Sequence, residues 1–174
     1  IWKGLVGSEM CIRDSIRTVR RLLERGIDLD LAVVGDHEGG EAAVIDPLLD
    51  GLGDRVVARG FLDRPDYESL LDRADVVVSA AKGENFGIAV VEAIAAGAWP
   101  VLPDALAYPE IIPVSHHDDC LYAEGGLGKR LAEVIAHSAA GASAPGGLAE
   151  AMAVHAWPVT AERMDRRLDE LLRR

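Results

Sequence analysis

Glu84 and Glu92 stand eight residues apart, in a setting that invites chemistry. The apolar run Val76-Val77-Val78-Ser79 leads through Ala80-Ala81-Lys82-Gly83 to Glu84-Asn85-Phe86-Gly87, and a stretch rich in Ala, Val and Ile follows to Gly97. A helix over residues 87–96 would be apolar or small everywhere except at Glu92. Such a helix is normally buried, and a carboxylate inside it is costly unless something pairs with it. We therefore expect Glu92 to be largely buried and to face a ligand cleft. The helix start offers unpaired N–H groups and a partial positive charge, which suits a phosphate or diphosphate. Asn85, Phe86, Gly87 and Ile88 supply those N–H groups, and Gly87 permits close backbone approach. Glu84 is placed to accept hydrogen bonds from sugar hydroxyls, and Glu92 from the two hydroxyls of a ribose. The bland alternative makes Glu84 an ordinary loop acid and Glu92 a surface residue. The Phe-Gly between the acids, the strand before and Ala-x-Ala-x-Gly-x-x-Pro-Val after weigh against it.

The rest of the chain reads as elements able to hold this constellation in place. Residues 16–25 form an amphipathic helix with Ile16, Val19, Leu22 and Leu23 on one side, closed by Gly26. Residues 29–34, 55–59, 75–80 and 99–102 read as strands. Residues 42–52 read as a helix with Pro47 as a weak point, and residues 65–73 as a helix with Pro in its first turn. A turn-rich stretch precedes a helix over about 127–138, a loop over 138–147 and a last amphipathic helix over 160–172. Thr160 is its expected N-cap. Near-continuous apolar strands alternating with helices indicate an α/β, doubly wound parallel sheet of Rossmann-like type. Ligands of such sheets bind beyond the carboxyl ends of the strands. Gly35-Asp36, Gly60-Phe61 and Gly83-Glu84 fall at three of those ends.

Composition narrows the field. The 174 residues, 49% hydrophobic, suit one domain with a sizeable core. Twenty-nine acids against 18 Lys and Arg leave a net charge of −11, which opposes broad electrostatic capture of nucleic acid or an anionic membrane by this chain. Arg17, Arg20, Arg21 and Arg25 cluster, but a solvated helix face explains them. No apolar run is long enough for a membrane span, and no signal peptide is visible. Cys11 and Cys120, isolated and without metal spacing, fit a reducing cytoplasm. The His116-His117-Asp118-Asp119 cluster reads as a polar surface turn, because adjacent residues rarely converge on one ion. Lys82 is either a phosphate contact or an exposed loop lysine. Trp99, Trp157 and Tyr108 read as core or domain-contact residues. Gly35-Asp36 lacks the G-x-G-x-x-G of a dinucleotide site.

Residues 1–15 carry no clear period and stop abruptly before a good helix. The run from Val6 to Ser15 resembles translated adapter sequence found at the ends of unrelated chains. The alternative is a native strand over residues 2–6. We expect a foreign or disordered segment that packs poorly, with residues 16–174 as the working domain.

Glu84-Asn85-Phe86-Gly87-Ile88-Ala89-Val90-Val91-Glu92-Ala93, with Gly97 and Pro100-Val101, resembles the E-x7-E signature of retaining glycosyltransferases of the GT-B fold. Ala74-Asp75-Val76-Val77-Val78-Ser79, Leu106-Ala107-Tyr108-Pro109-Glu110-Ile111-Ile112-Pro113 and His155-Ala156-Trp157 are similar to the tRNA-queuosine mannosyltransferase subgroup. The resemblance implies that residues 16–174 are the nucleotide-sugar-binding C-terminal half of that fold, with the acceptor-binding N-terminal domain missing. It implies that Glu84, also the expected catalytic residue, and the backbone of Phe86, Gly87 and Ile88 hold the donor sugar and diphosphate. Glu92 would hold the ribose, and Gly60 and Phe61 would lie near the base. The expected donor is GDP-mannose and the acceptor queuosine in tRNA, reached through the missing domain, with no metal and no other cofactor. The basic phosphate-contacting residues of the family are not identifiable in residues 1–15 and the acceptor-binding domain is missing, so this chain alone is expected to be inactive. Two rivals remain: a nucleotide-sugar epimerase of the same fold and a non-catalytic nucleotide-binding module.

Overall fold

The computed structural model describes residues 2–6, 9–35 and 40–173, with side chains at residues 12–35 and 44–173. Six described strands, β1 (Trp2–Val6), β2 (Asp30–Val34), β3 (Val56–Gly60), β4 (Val76–Ser79), β5 (Trp99–Pro103) and β6 (Leu121–Tyr122), form one parallel sheet. Their order is β3-β2-β1-β4-β5-β6. Chain order runs outward in one direction from β1 and in the other from β4. The switch point therefore lies between these two strands, the place where a doubly wound sheet opens a ligand crevice beyond its carboxyl ends. The segment leaving β4 there is the one that carries Glu84.

Alternation along the strands builds two cores. Leu31, Val33, Val76, Val78 and Val101 point to one face, where Ile16, Val19 and Leu22 of α1 (Glu9–Glu24), Ile45 and Leu49 of α2 (Gly40–Asp50) and Leu131 of α7 (Leu127–Ala139) cover them. Ala32, Val77 and Leu102 point to the other face. Leu70 of α3 (Arg64–Leu71), Val90 and Ile94 of α4 (Ile88–Ala95) and Tyr108 and Ile111 of α5 (Tyr108–Ile111) meet them there. Two short helices were not foreseen: α6 (His117–Cys120) lies in the turn-rich stretch, and α8 (Leu148–Ala151) follows directly on the loop read over residues 138–147.

The largest departure concerns residues 1–15. The expectation of a disordered, poorly packed segment is corrected. Trp2–Val6 is a strand at the middle of the sheet, with Gly4 opposite Ala32 on one side and Val77 on the other. Helix α1 starts at Glu9 rather than at residue 16, and Ile12 and Ser15 are buried. The strand is the native alternative read over residues 2–6, and its ladder bonds join backbone groups of β2 and β4.

Smaller corrections have local causes. Helix α2 runs through Pro47. The last helix, α9 (Trp157–Leu172), begins three residues before Thr160: Pro158 sits in its first turn and Ala156 occupies the cap position. None of its residues is buried, and Trp157 is 74% exposed rather than part of a core. Gly26 does close α1, at φ 80°, with the Ile27 N–H donating back to the Leu22 carbonyl at 3.1 Å. Asp36, in the expected turn after β2, lies outside the described residues. Among the described residues no helix is long and apolar enough to cross a membrane.

Candidate functional site

The carboxyl end of β4 is tied down by three hydrogen bonds to one serine. Ser79, fully buried, places its Oγ 2.7 Å from the Tyr108 hydroxyl and accepts from the Ala81 N–H at 3.1 Å. The Tyr122 hydroxyl donates to the Ser79 carbonyl at 2.8 Å. Two of these partners are the tyrosines of α5 and β6, so the departure of the chain from β4 is set by elements that follow it. The exit segment then turns at Glu84, whose Oε1 accepts from the Phe86 N–H at 3.2 Å. Gly87 takes the cap position of α4 at φ 84°, in the left-handed region that favours glycine. Its carbonyl accepts from Val90 and Val91 at 3.0 and 3.1 Å, which starts the helix. The Ile88 and Ala89 N–H groups precede that first turn of bonds and point from the positive helix end. The expected use of the Phe86 N–H for a ligand changes, since Glu84 already takes it.

Glu92 is not as buried as its apolar neighbours imply. Its side chain is 31% exposed, and two residues of α3 hold it. The Tyr67 hydroxyl donates to Oε2 at 2.9 Å, and Arg64 Nη1 donates to Oε1 at 3.2 Å. Arg64 also donates through Nε to Glu68 at 2.6 Å. The demand for a partner is therefore met, but by side chains the sequence reading did not single out. Arg64 and Tyr67 fall at the start of α3, which Asp63 caps by accepting from the Asp66 N–H at 3.0 Å. Their spacing of three residues puts both on one helix face, the signal that could have found them. Burial first, and the bond to Glu92 second, raise the Tyr67 hydroxyl above its ordinary range, in keeping with its role as the donor of that bond.

Arg64 and Tyr67 also wall a cavity of about 450 Å³ with Val34, Gly35, Phe61, Leu62 and Ala89. Phe61, 79% exposed, stands at its rim directly after Gly60, where the chain leaves β3 at φ 77°. Ala89 lies in the first turn of α4, two residues past Gly87. The same helix turn thus borders the cavity and follows the Glu84 turn; Ile88 and Glu92, four apart, share one face of α4, and Glu92 is held by two of the residues that wall the cavity. Asn85 is exposed in that turn. A larger hollow of about 1370 Å³, which includes Lys82, Asp104 and Leu106, holds neither Glu84, Glu92 nor Phe61.

Other candidates resolve more simply. Among the described residues no three His, Cys, Asp or Glu side chains converge as metal ligands. His117 Nε2 donates to the carbonyls of Ile112 and Pro109 at 2.9 and 3.1 Å, so it must carry its hydrogen. Trp99 donates from Nε1 to the Asp119 carbonyl at 3.1 Å and stacks on His137. Phe86 meets His155 edge to face at 5.2 Å, which ties the Glu84 turn to the short helical turn after α8.

Comparison with known proteins supplies what geometry alone does not. The family described as Glycosyl transferases group 1 matches residues 7–140, more than half of the chain. Over 98 residues the chain is 34% identical to tRNA-queuosine alpha-mannosyltransferase of Drosophila melanogaster, covering 56% of this chain and 26% of that protein. Its fold superposes on sucrose-phosphate synthase from Thermosynechococcus elongatus with a TM-score of 0.78 at 21% identity, over 98% of this chain and 45% of that one. It also superposes on Anabaena HepE in complex with UDP-glucose, with a TM-score of 0.73 at 21% identity, over 97% and 48%. The chain spans less than half the length of each of these proteins. Sequence match and doubly wound sheet agree, and the chain belongs to the group 1 glycosyl transferases, with the Rossmann-like fold of one half of a GT-B enzyme.

Proposed function

We propose that residues 16–174, with the strand that precedes them, form the donor-binding half of a retaining glycosyltransferase, and that the donor is GDP-mannose. The observation that carries the reading is the succession of Glu84, the first turn of α4 and the Glu92 carboxylate, beside a cavity rimmed by Phe61. A nucleoside diphosphate sugar laid along them would put its base in the cavity beside Gly60 and Phe61. Its ribose would meet Glu92, its diphosphate the N–H groups of Gly87, Ile88 and Ala89, and its sugar Glu84. The helix end would stabilise the charge that develops on the leaving diphosphate, an electrostatic role that needs no metal. Glu84 would orient the hexose through its hydroxyls while the anomeric bond breaks.

The queuosine acceptor rests on the similarity to the mannosyltransferase, and it would be reached through the half that lies beyond these residues. Accordingly this chain would bind donor without turning it over. Calorimetric titration with GDP-mannose, GDP, UDP-glucose and UDP, with and without EDTA, tests the reading. Preferential binding of GDP-mannose, unchanged by EDTA, is the expected result. Binding of UDP-glucose alone would replace the donor assignment, and binding of none would end the nucleotide-sugar reading.

A further inference from the structure

The described geometry assigns Tyr67 and Arg64 a job that the glutamate pair cannot do alone. We infer that these two side chains aim the Glu92 carboxylate so that it selects ribose over deoxyribose, which makes Tyr67 a positioning residue for nucleotide specificity. The inference deepens the proposed donor site and rests on it.

A carboxylate has two oxygens with about four lone-pair positions. Tyr67 occupies one on Oε2 at 2.9 Å and Arg64 one on Oε1 at 3.2 Å. One position on each oxygen stays available, and two acceptor atoms side by side suit two neighbouring hydroxyls. Without its partners, a Glu92 side chain with 31% exposure would be free to swing between rotamers. The two holders differ in kind. Tyr67 is half-buried, short of freedom and held protonated, whereas Arg64 is 66% exposed and shares its guanidinium with Glu68. Tyr67 therefore sets the plane of the carboxylate, and Arg64 restrains one edge of it. Both also wall the cavity, so the aim of Glu92 is coupled to the surface the base would rest on.

The test is a calorimetric comparison of GDP with 2′-deoxy-GDP, repeated with UDP and 2′-deoxy-UDP so that the choice of base does not decide the outcome. Wild-type protein, Tyr67→Phe, Arg64→Gln and Glu92→Gln are titrated after thermal melts confirm folding. A hydrogen bond to a charged group implies a ribose preference of about tenfold or more in the wild type. Tyr67→Phe should cut that preference to about threefold or less while the deoxy ligands bind about as before, because only the aimed bonds are lost. Arg64→Gln should lower it less, and it keeps the test open should Tyr67→Phe not fold. Equal weakening of ribo and deoxy ligands by Tyr67→Phe would mean that Tyr67 is only a wall, and would overturn the inference. An unchanged preference in both Tyr67→Phe and Arg64→Gln, with Glu92→Gln abolishing it, would overturn the inference and leave the donor site standing. No ribose preference in the wild type would overturn both.

Discussion

Tyr108 lies directly under Gly87: a β-carbon on Gly87 would stand 3.2 Å from Tyr108 Cε1 and 3.7 Å from Cγ of Glu84. The tyrosine is fully buried and held by Ser79, so it cannot easily give way. Gly87 is thus required twice, by its φ of 84° and by the ring beneath it.

Gly87→Ala should destabilise the protein by roughly 1–2 kcal/mol from the left-handed conformation alone, with crowding against Tyr108 added. Gly87→Val should cost more and should also weaken nucleotide binding. The Val variant cannot separate phosphate approach from folding, since both fail at the same atom. Urea midpoints check the claim, and an Ala variant as stable as wild type would contradict it.

Glu84→Ala should leave the fold nearly intact and spare the free nucleoside diphosphate. What it should lose is the preference for the sugar-bearing form, by about tenfold if one charge-assisted hydrogen bond to the hexose disappears. Paired titrations with GDP and GDP-mannose read this directly. Equal weakening of both ligands would move Glu84 from the sugar to the turn, where it accepts the Phe86 N–H.

Deleting residues 1–15 should abolish cooperative unfolding. It removes the strand between β2 and β4 and takes Ile12 out of the core. The two flanking strands would be left with unpaired edges in the middle of the sheet. Differential scanning calorimetry is the measurement, and an unchanged melting temperature would contradict this and favour a dispensable foreign segment.

Cys120 should make the protein sensitive to alkali. The thiol is fully buried, and burial, followed by the nearby charge of Asp119, pushes its pKa from 9.0 to about 12. A folded-state value above the unfolded one favours the protonated native form. Its contribution is therefore complete below about pH 9 and is lost as pH rises towards 12. Cys120→Ala leaves a small cavity and begins less stable, but its deficit should shrink across that window. Stability curves that stay parallel from pH 8 to about 12 would show that the thiol does not titrate there.

The doubly wound sheet and the Glu84–Glu92 constellation were both legible in the residues, because each rests on short-range pattern. Apolar runs of strand length, the 3.6-residue period of α1 and α7 and a glycine at a helix start are local facts of covalent geometry and solvation. The need for a partner at Glu92 was legible too, since an acid among Val, Ala and Ile must be compensated. Which partner was not. Arg64 and Tyr67 come from a different helix, and they meet Glu92 only when α3 and α4 pack on the same face of the sheet. The support of Gly87 by Tyr108, and of Tyr108 by Ser79, likewise joins residues that only the closed fold brings together. Residues 1–15 mark the other limit. Strand β1 was legible only as the alternative over residues 2–6, because what places it between β2 and β4 is backbone pairing with strands that lie far along the chain.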